Sequence, residues 1–312
     1  MSTPVTTAAR RIAQEWHRNR SFIVWFTVLV LLIVVSIAGP WVLPSPSSQE
    51  LAIRLQGPSL DHVLGTDDYG RDILSRVVSA GRISLGLSAL ITMLAVGLGS
   101  VVGLVAGFYT GTSSILMRIM DSLMAFPAIV LAIALVVALS SKPGALAETI
   151  ALTVVFTPYV ARVVRSRALT ISQRGFVTAA RAAGVRGVRI LVVHVLPNAL
   201  PTIMVQATFV CASALLADAS LSFLGLGVAP PTPTWGNMIA DAKPYISSSP
   251  LFIVAPGTAI VIAVMAFNLA GDGIRSLVDP RAKAVLNLQA RERRQAKDSG
   301  IRGSQAASPP HQ

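Results

Sequence analysis

One cysteine, four histidines and fourteen acidic residues are all that 312 residues offer to redox, metal or acid–base chemistry. Cys211 alone cannot form an internal disulfide, and its place in an apolar run fits a small packing side chain. The histidines (His17, His62, His194 and His311) are scattered, no HExxH occurs and no paired aspartates fall within an apolar run, which speaks against an intramembrane enzyme. His62 has Asp67, Asp68 and Asp72 nearby, but one imidazole is too few for a transition-metal site, and capping acids and local ion pairs explain the same residues. No metal is expected. None of Lys142, Lys243, Lys283 or Lys297 follows a glycine-rich phosphate cradle, so a Walker A motif is absent and any ATP that drives this chain binds elsewhere. Asp121, Glu148, Asp218 and Asp272 are expected near span ends and no internal repeat is found, which disfavours an ion-coupled carrier or self-sufficient channel.

What the chain does have is apolar length. Hydrophobic residues make up 53% and charged residues 13%, the balance of a membrane protein. The net charge of +12 is spread in clusters that flank apolar runs, without stacking aromatics, so lipid headgroups and not nucleic acid are the expected counterpart. A tail at 1–20 with Arg10, Arg11, Arg18 and Arg20 precedes an uncharged run at 21–43. That run is too long for a signal peptide and reads as an uncleaved first span. A mixed, extracytoplasmic segment at 44–82 follows. Ile83 to Met117 then predicts a helix and a turn near Thr110 to Ser113, with Gly86, Gly97, Gly99, Gly103 and Gly107 allowing close helix approach. The third span, Ser114 to Ser141, carries Pro127, read as a fixed kink. The fourth ends near Leu169, the fifth runs from Ala199 to Leu224 with Asp218 near its outer end, and the sixth covers Leu251 to Ala270. Gly225 to Pro250, with Trp235 and Tyr245, reads as an outer loop. The tail at 276–312 is polar and basic. Six spans put both termini on one side, and the excess of Lys and Arg on that side makes it cytoplasmic. The fold class expected is all-α, with six transmembrane helices and a hairpin between the fourth and fifth.

That hairpin, Arg174 to Pro201, is the cationic interruption of the apolar pattern. Ala179, Ala180, Ala182 and Ala183 favour a short helix, and Gly184 stands where a helix end needs positive φ. A second segment starts at Val188, and Pro197 and Pro201 are read as marking a change of direction. Arg174, Arg181, Arg186 and Arg189 stud the hairpin, with no acid between Glu148 and Asp218. Two readings stand: a connector held near anionic headgroups, or a docking knob with Phe176 and Val177 as apolar anchors for a soluble partner.

The run Ala179-Ala180, then Gly184, then Leu196-Pro197-Asn198 resembles the EAA coupling loop of permease subunits in ATP-binding-cassette importers. LGTDDYGRDILSR at Leu64 to Arg76, SLSFLGLGVAPPTPTWGNMI at Ser220 to Ile239 and AFNLAGDGIRSLVDPR at Ala266 to Arg281 are similar to segments of the C-type permease of dipeptide, oligopeptide and nickel importers. The resemblance implies a type I importer permease in the bacterial inner membrane, forming half of a peptide path with a homologous B-type permease. It implies two cytoplasmic ATPase subunits or domains, which hold the ATP and Mg, and an extracytoplasmic substrate-binding protein; this chain binds no cofactor itself. The coupling residues implied are Phe176, Val177, Thr178, Ala179, Ala180, Arg181, Gly184, Val185 and Pro197, within a core at 83–275 and a loop at 174–197. The family's glutamate falls on Thr178 here, which removes an anion from that surface. Asp67, Asp68, Arg71 and Trp235 are expected to touch the binding protein, and Asp218 to line the substrate path.

Overall fold

The computed structural model describes residues 22–141 and 144–278. The basic arm at 1–20 and the tail from Asp279 onward lie outside the described residues, as does Pro143 of a turn expected at Pro143 to Leu146, whose remaining residues are the start of a helix. Within them, all regular structure is helical apart from one isolated bridge between Thr66 and Asp72. Among the described residues five helices are long and apolar enough to cross a membrane, and a sharply bent pair would bring the number to six if it is one broken span and not a re-entrant loop.

Helix α1 is Phe22–Trp41, almost unburied by the rest of the chain, with Phe26, Leu31 and Val34 exposed. Helix α2, Ile73–Phe108, is 36 residues long, or about 54 Å at 1.5 Å per residue, well beyond the ~30 Å hydrocarbon layer. It begins ten residues earlier than the sequence pattern predicts. The Asp72 carboxylate caps it by accepting from the Ser75 N–H at 2.7 Å, so residues 73–82, with Arg76 and Arg82, are helix and not loop. Helices α3 (Thr110–Met124) and α4 (Ala128–Ala138) replace the single kinked span, with Thr110 to Ser113 helical and not a turn. They meet at 91°. Pro127, which lacks an N–H, is the N-cap of α4 with ψ of 131°, so the helix restarts there instead of bending.

Helix α5, Gly144–Ser172, packs along α2. Gly99, Gly103 and Gly107 make this contact possible: a Cβ on Gly103 would lie 2.5 Å from the Ala161 carbonyl oxygen, and one on Gly107 2.6 Å from the Ala168 Cβ. Gly86 and Gly97 face open space, so the expectation of close approach holds for three glycines of the five. Ile91, Ala95 and Leu104 of α2 fill the rest of the seam with Val155, Val160 and Val164 of α5. After the hairpin comes α8, Leu196–Phe223.

The loop beyond α8 contains a further helix, α9, Trp235–Ala242, started by a reciprocal cap in which the Asn237 N–H donates to Thr234 Oγ1 at 3.1 Å and the Thr234 N–H to Asn237 Oδ1 at 2.9 Å. Helix α10, Pro250–Val278, completes the bundle and runs past the expected end at Ala270.

At the end of the bundle where α2 begins, the preceding loop is held by charge. Asp67 is buried, its Oδ2 accepting from Arg71 Nε at 2.5 Å and forming an ion pair with Arg76 Nε at 3.3 Å, while its Oδ1 accepts the Tyr69 and Arg71 N–H groups. Asp68 lies 3.6 Å from Arg71, and Asp241 on α9 lies 3.9 Å from Arg76. Burial holds both the Asp68 and Asp241 carboxyls above the ordinary range, with Asp67 adding repulsion at Asp68 and Arg76 opposing the rise at Asp241.

Asp67→Ala strands two buried guanidiniums and is expected to cost about 3 kcal/mol, read as a lower melting temperature in detergent. Gly103→Ala is expected to cost about 1–3 kcal/mol by overpacking, whereas Gly97→Ala in open space is neutral or stabilising. Equal effects of the two glycine substitutions in the same melting assay would remove the close-crossing account.

Candidate functional site in the hairpin between the long helices

The chain leaves α5 at Ser172 and enters helix α6, Gly175–Ala182. Gly184, at φ +76°, ends it: the Gly184 N–H donates to the Arg181 carbonyl at 3.0 Å and the Val185 N–H to the Ala180 carbonyl at 3.1 Å. This is the left-handed cap that the sequence pattern predicts. A single helical turn, α7 at Gly187–Ile190, leads through a π turn, Leu191–Val195, directly into α8. The membrane helix therefore starts at Gly187, not Ala199, and runs unbroken through both prolines to Phe223. The expected change of direction at Pro197 and Pro201 does not occur. Pro197 follows closely on the π turn, and the Asn198 side chain donates to the His194 carbonyl at 2.8 Å.

One side of the hairpin is fastened and the other is free. Val177 has no exposed surface and joins the core of Phe108, Ala168, Ile171, Ile190 and Val195. That corrects the expectation for Val177: it anchors the hairpin to its own bundle and is not available to a partner. Phe176, one residue earlier, is 42% exposed, with the His194 ring 6.3 Å from its own. Thr178, Ala179, Gly184 and Pro197 are exposed too, and Ala180 and Val185 are half-buried against the core. Arg181 lies over the Phe108 ring at 4.9 Å, which holds the guanidinium without neutralising it. Arg174, Arg186 and Arg189 are exposed, and none of the four arginines has an acidic partner among the described residues. Beside them a shallow groove of about 660 Å³ is lined by Ala183, Gly184, Arg186, Val188 and Arg189. A firmly seated element with a cationic, partly apolar outer face can bind an acidic, grooved surface and pass on its displacement.

The residues expected at a binding-protein contact lie at the other end of the bundle. Asp67 and Arg71 are buried in the ion knot. Trp235, 2% exposed, donates its indole N–H to the Val77 carbonyl at 2.9 Å and its backbone N–H to Ser84 Oγ at 3.2 Å. These three hold the loop and α9 in place and present no free surface, which corrects the direct-contact expectation for them. Asp68 keeps partial exposure. Asp218 is fully buried in α8 beside Glu148 of α5, a pairing the sequence reading missed. Its signal was available: antiparallel helices joined by a hairpin bring together residues equally far from it. A further cavity of about 470 Å³ lies toward the hairpin end, where Arg162, Gln206, Asp272 and Arg275 meet apolar side chains such as Met124 and Phe209. Arg162 is paired with Asp121 at 2.5 Å.

Comparison with known proteins accounts for this arrangement. Residues 95–284 match the family described as binding-protein-dependent transport system inner membrane component. A Brucella abortus protein, whose name assigns it provisionally to the peptide transport system permeases, is 40% identical over 90% of this chain and 93% of its own. The dipeptide transport system permease protein DppC of Alkalihalophilus pseudofirmus is 39% identical over 88% and 90% of the two chains. The di/tripeptide transport system permease protein DppC of Pseudomonas aeruginosa is 39% identical over 86% and 91%. Among solved structures, a chain of the MetNI methionine ABC transporter in inward-facing conformations superposes with a TM-score of 0.57, covering 66% of this chain and 98% of that one at 21% identity, a likeness of fold. The chain belongs to the family of binding-protein-dependent transport system inner membrane components, the permease subunits of ATP-binding-cassette importers, and has their type I fold.

Proposed function

We propose that this permease forms half of a peptide path across the bacterial inner membrane and that its hairpin is the handle by which ATPases drive it. The observation that carries the reading is the hairpin itself: Val177 locks it to α2, α5 and α8, while Phe176 and four unneutralised arginines face outward. The names of the relatives support dipeptides and short oligopeptides as the solute. A homologous B-type permease supplies the other half of the path, an extracytoplasmic protein delivers the peptide, and two cytoplasmic ATPase subunits or domains hold ATP and Mg. This chain performs no chemistry of its own.

Orientation follows from charge. Among the described residues the hairpin end carries nine arginines, Arg118, Arg162, Arg165, Arg167, the four hairpin arginines and Arg275, whereas the opposite end carries five cations, Arg54, Arg71, Arg76, Arg82 and Lys243. By the positive-inside rule the hairpin and both termini are cytoplasmic. An acidic cleft on the ATPase would enclose Phe176, with the arginines fixing its approach and Thr178 contributing a hydroxyl. Closure of the ATPases then moves the hairpin as a lever, and because its far strand is continuous with α8, the stroke is transmitted to a membrane helix without a flexible joint.

In proteoliposomes containing the complete transporter, Phe176→Asp and Gly184→Pro are expected to leave the amount of membrane protein unchanged. Both are expected to reduce peptide uptake at least tenfold, or about 1.4 kcal/mol of lost coupling. Val177→Asp, which puts a charge into the core, is expected instead to abolish accumulation of the chain. Normal uptake in the first two variants, or transport by the chain reconstituted without any ATPase, would overturn the lever.

A further inference from the structure

The recess of about 470 Å³ toward the hairpin end opens on a face of the bundle that lipid covers badly. Tyr159 of α5 and Gln206 of α8 fall near the middle of their helices, and Asn268, Asp272 and Arg275 follow one another along α10 toward the hairpin end. Asn268, Asp272, Arg275 and Arg162 are exposed, and Gln206 is half-buried. An amide or a charge turned to hydrocarbon from within an apolar span loses hydrogen bonds that a lipid tail cannot return. This face is therefore one for water, protein or a polar solute.

The recess is also firmly built. On α10, Gly271 lies so close to α8 that a Cβ there would be 2.0 Å from Thr208 Oγ1, and that hydroxyl donates to the Val205 carbonyl at 2.9 Å. Across from them Arg162 is held by Asp121 of α3 at 2.5 Å. Asp272 and Arg275, by contrast, are in no ion pair among the described residues. They stand three residues apart on one helix face, about 5–6 Å between Cβ atoms. The two ends of a dipeptide are separated by a distance of the same order, roughly 6 Å.

We infer that this recess is a solute site on the permease itself, which takes a short zwitterionic peptide by both ends: the carboxylate on Arg275, the ammonium on Asp272, the internal amide on Gln206 and Asn268, and a side chain against Phe209. The chemistry selects against simpler ligands. An inorganic anion would meet the Asp272 carboxylate and a metal cation the two guanidiniums, whereas a molecule with one charge of each sign satisfies both. Guanidinium and carboxylate form a paired, charge-assisted contact, and the volume lies within the range of about 300–1,000 Å³ usual for small-ligand sites. The inference rests on the reading of this chain as half of a peptide path and adds where on this half the peptide is held.

The test uses the complete transporter, with its partner permease and ATPases, in lipid nanodiscs without the binding protein and without ATP. Binding of the dipeptide Ala-Phe, of its C-terminal amide and of its N-acetyl form is read by saturation-transfer NMR. The wild type is expected to bind Ala-Phe at least tenfold more tightly than either blocked form. Arg275→Gln is expected to bind Ala-Phe and its amide equally while still rejecting the acetyl form, and Asp272→Asn to do the reverse. Should one variant fail to assemble, the other decides. Equal binding of the three peptides by the wild type, or end preferences that survive both substitutions, would overturn the site. Loss of the partner permease from both variants would overturn it in favour of a recess filled by that subunit. ATP-driven uptake of Ala-Phe by the wild type, with its binding protein, is measured alongside. Uptake without end-selective binding removes the recess alone, whereas a transporter that carries no di- or tripeptide removes the peptide reading and the recess with it.

Discussion

The close crossing of α2 and α5 is the constraint on which the rest of the bundle rests. In hydrocarbon there is little hydrophobic drive between helices, so contact has to come from backbones that approach closely enough for dispersion to accumulate along their length. Gly99, Gly103 and Gly107 repeat every four residues and present a bare stripe to Thr157, Ala161, Val164 and Ala168. The same stripe ends beside Phe108, which supports both Val177 and Arg181 of the hairpin. The position of the functional element is thus set by three missing side chains some way from it.

Polar burial follows two different rules in this chain. Where α2 begins, Asp67 is surrounded by guanidinium and N–H donors, so its charge is satisfied and the cost of removing it from water is offset by several short contacts. Between α5 and α8 the same chemical group has only a second carboxyl and two hydroxyls around it. The first arrangement is a structural knot that tolerates being ionised. The second has no such support.

Much of this was legible in the sequence, and what was not has identifiable causes. Long apolar runs and the placement of arginine gave the number of crossings and the hairpin between the fourth and fifth, because those depend on composition over twenty residues. Gly184 was legible because few other residues accept positive φ. Which of Phe176 and Val177 turns inward was not, since a helix of eight residues has too few turns for a periodicity to show its face. Proline gave misleading boundaries: Pro127 broke a helix more sharply than expected, while Pro197 and Pro201 were absorbed into α8. Trp235 resembled an interfacial aromatic, yet its indole N–H found a carbonyl on α2. Glu148 and Asp218 are distant in the chain and meet only when α5 and α8 lie antiparallel.

The right-angled elbow between α3 and α4 has its own consequence. With 11 residues, α4 reaches only about 16 Å, roughly half of the hydrocarbon layer. Around the exposed Phe126 the peptide groups have left one helical ladder and not yet joined the next. Oil offers such groups nothing, so irregular backbone at membrane depth persists only under a roof of protein or beside trapped water. If the elbow sits in the hydrocarbon layer, its peptide groups therefore need cover that the neighbouring helices of an assembly would have to supply.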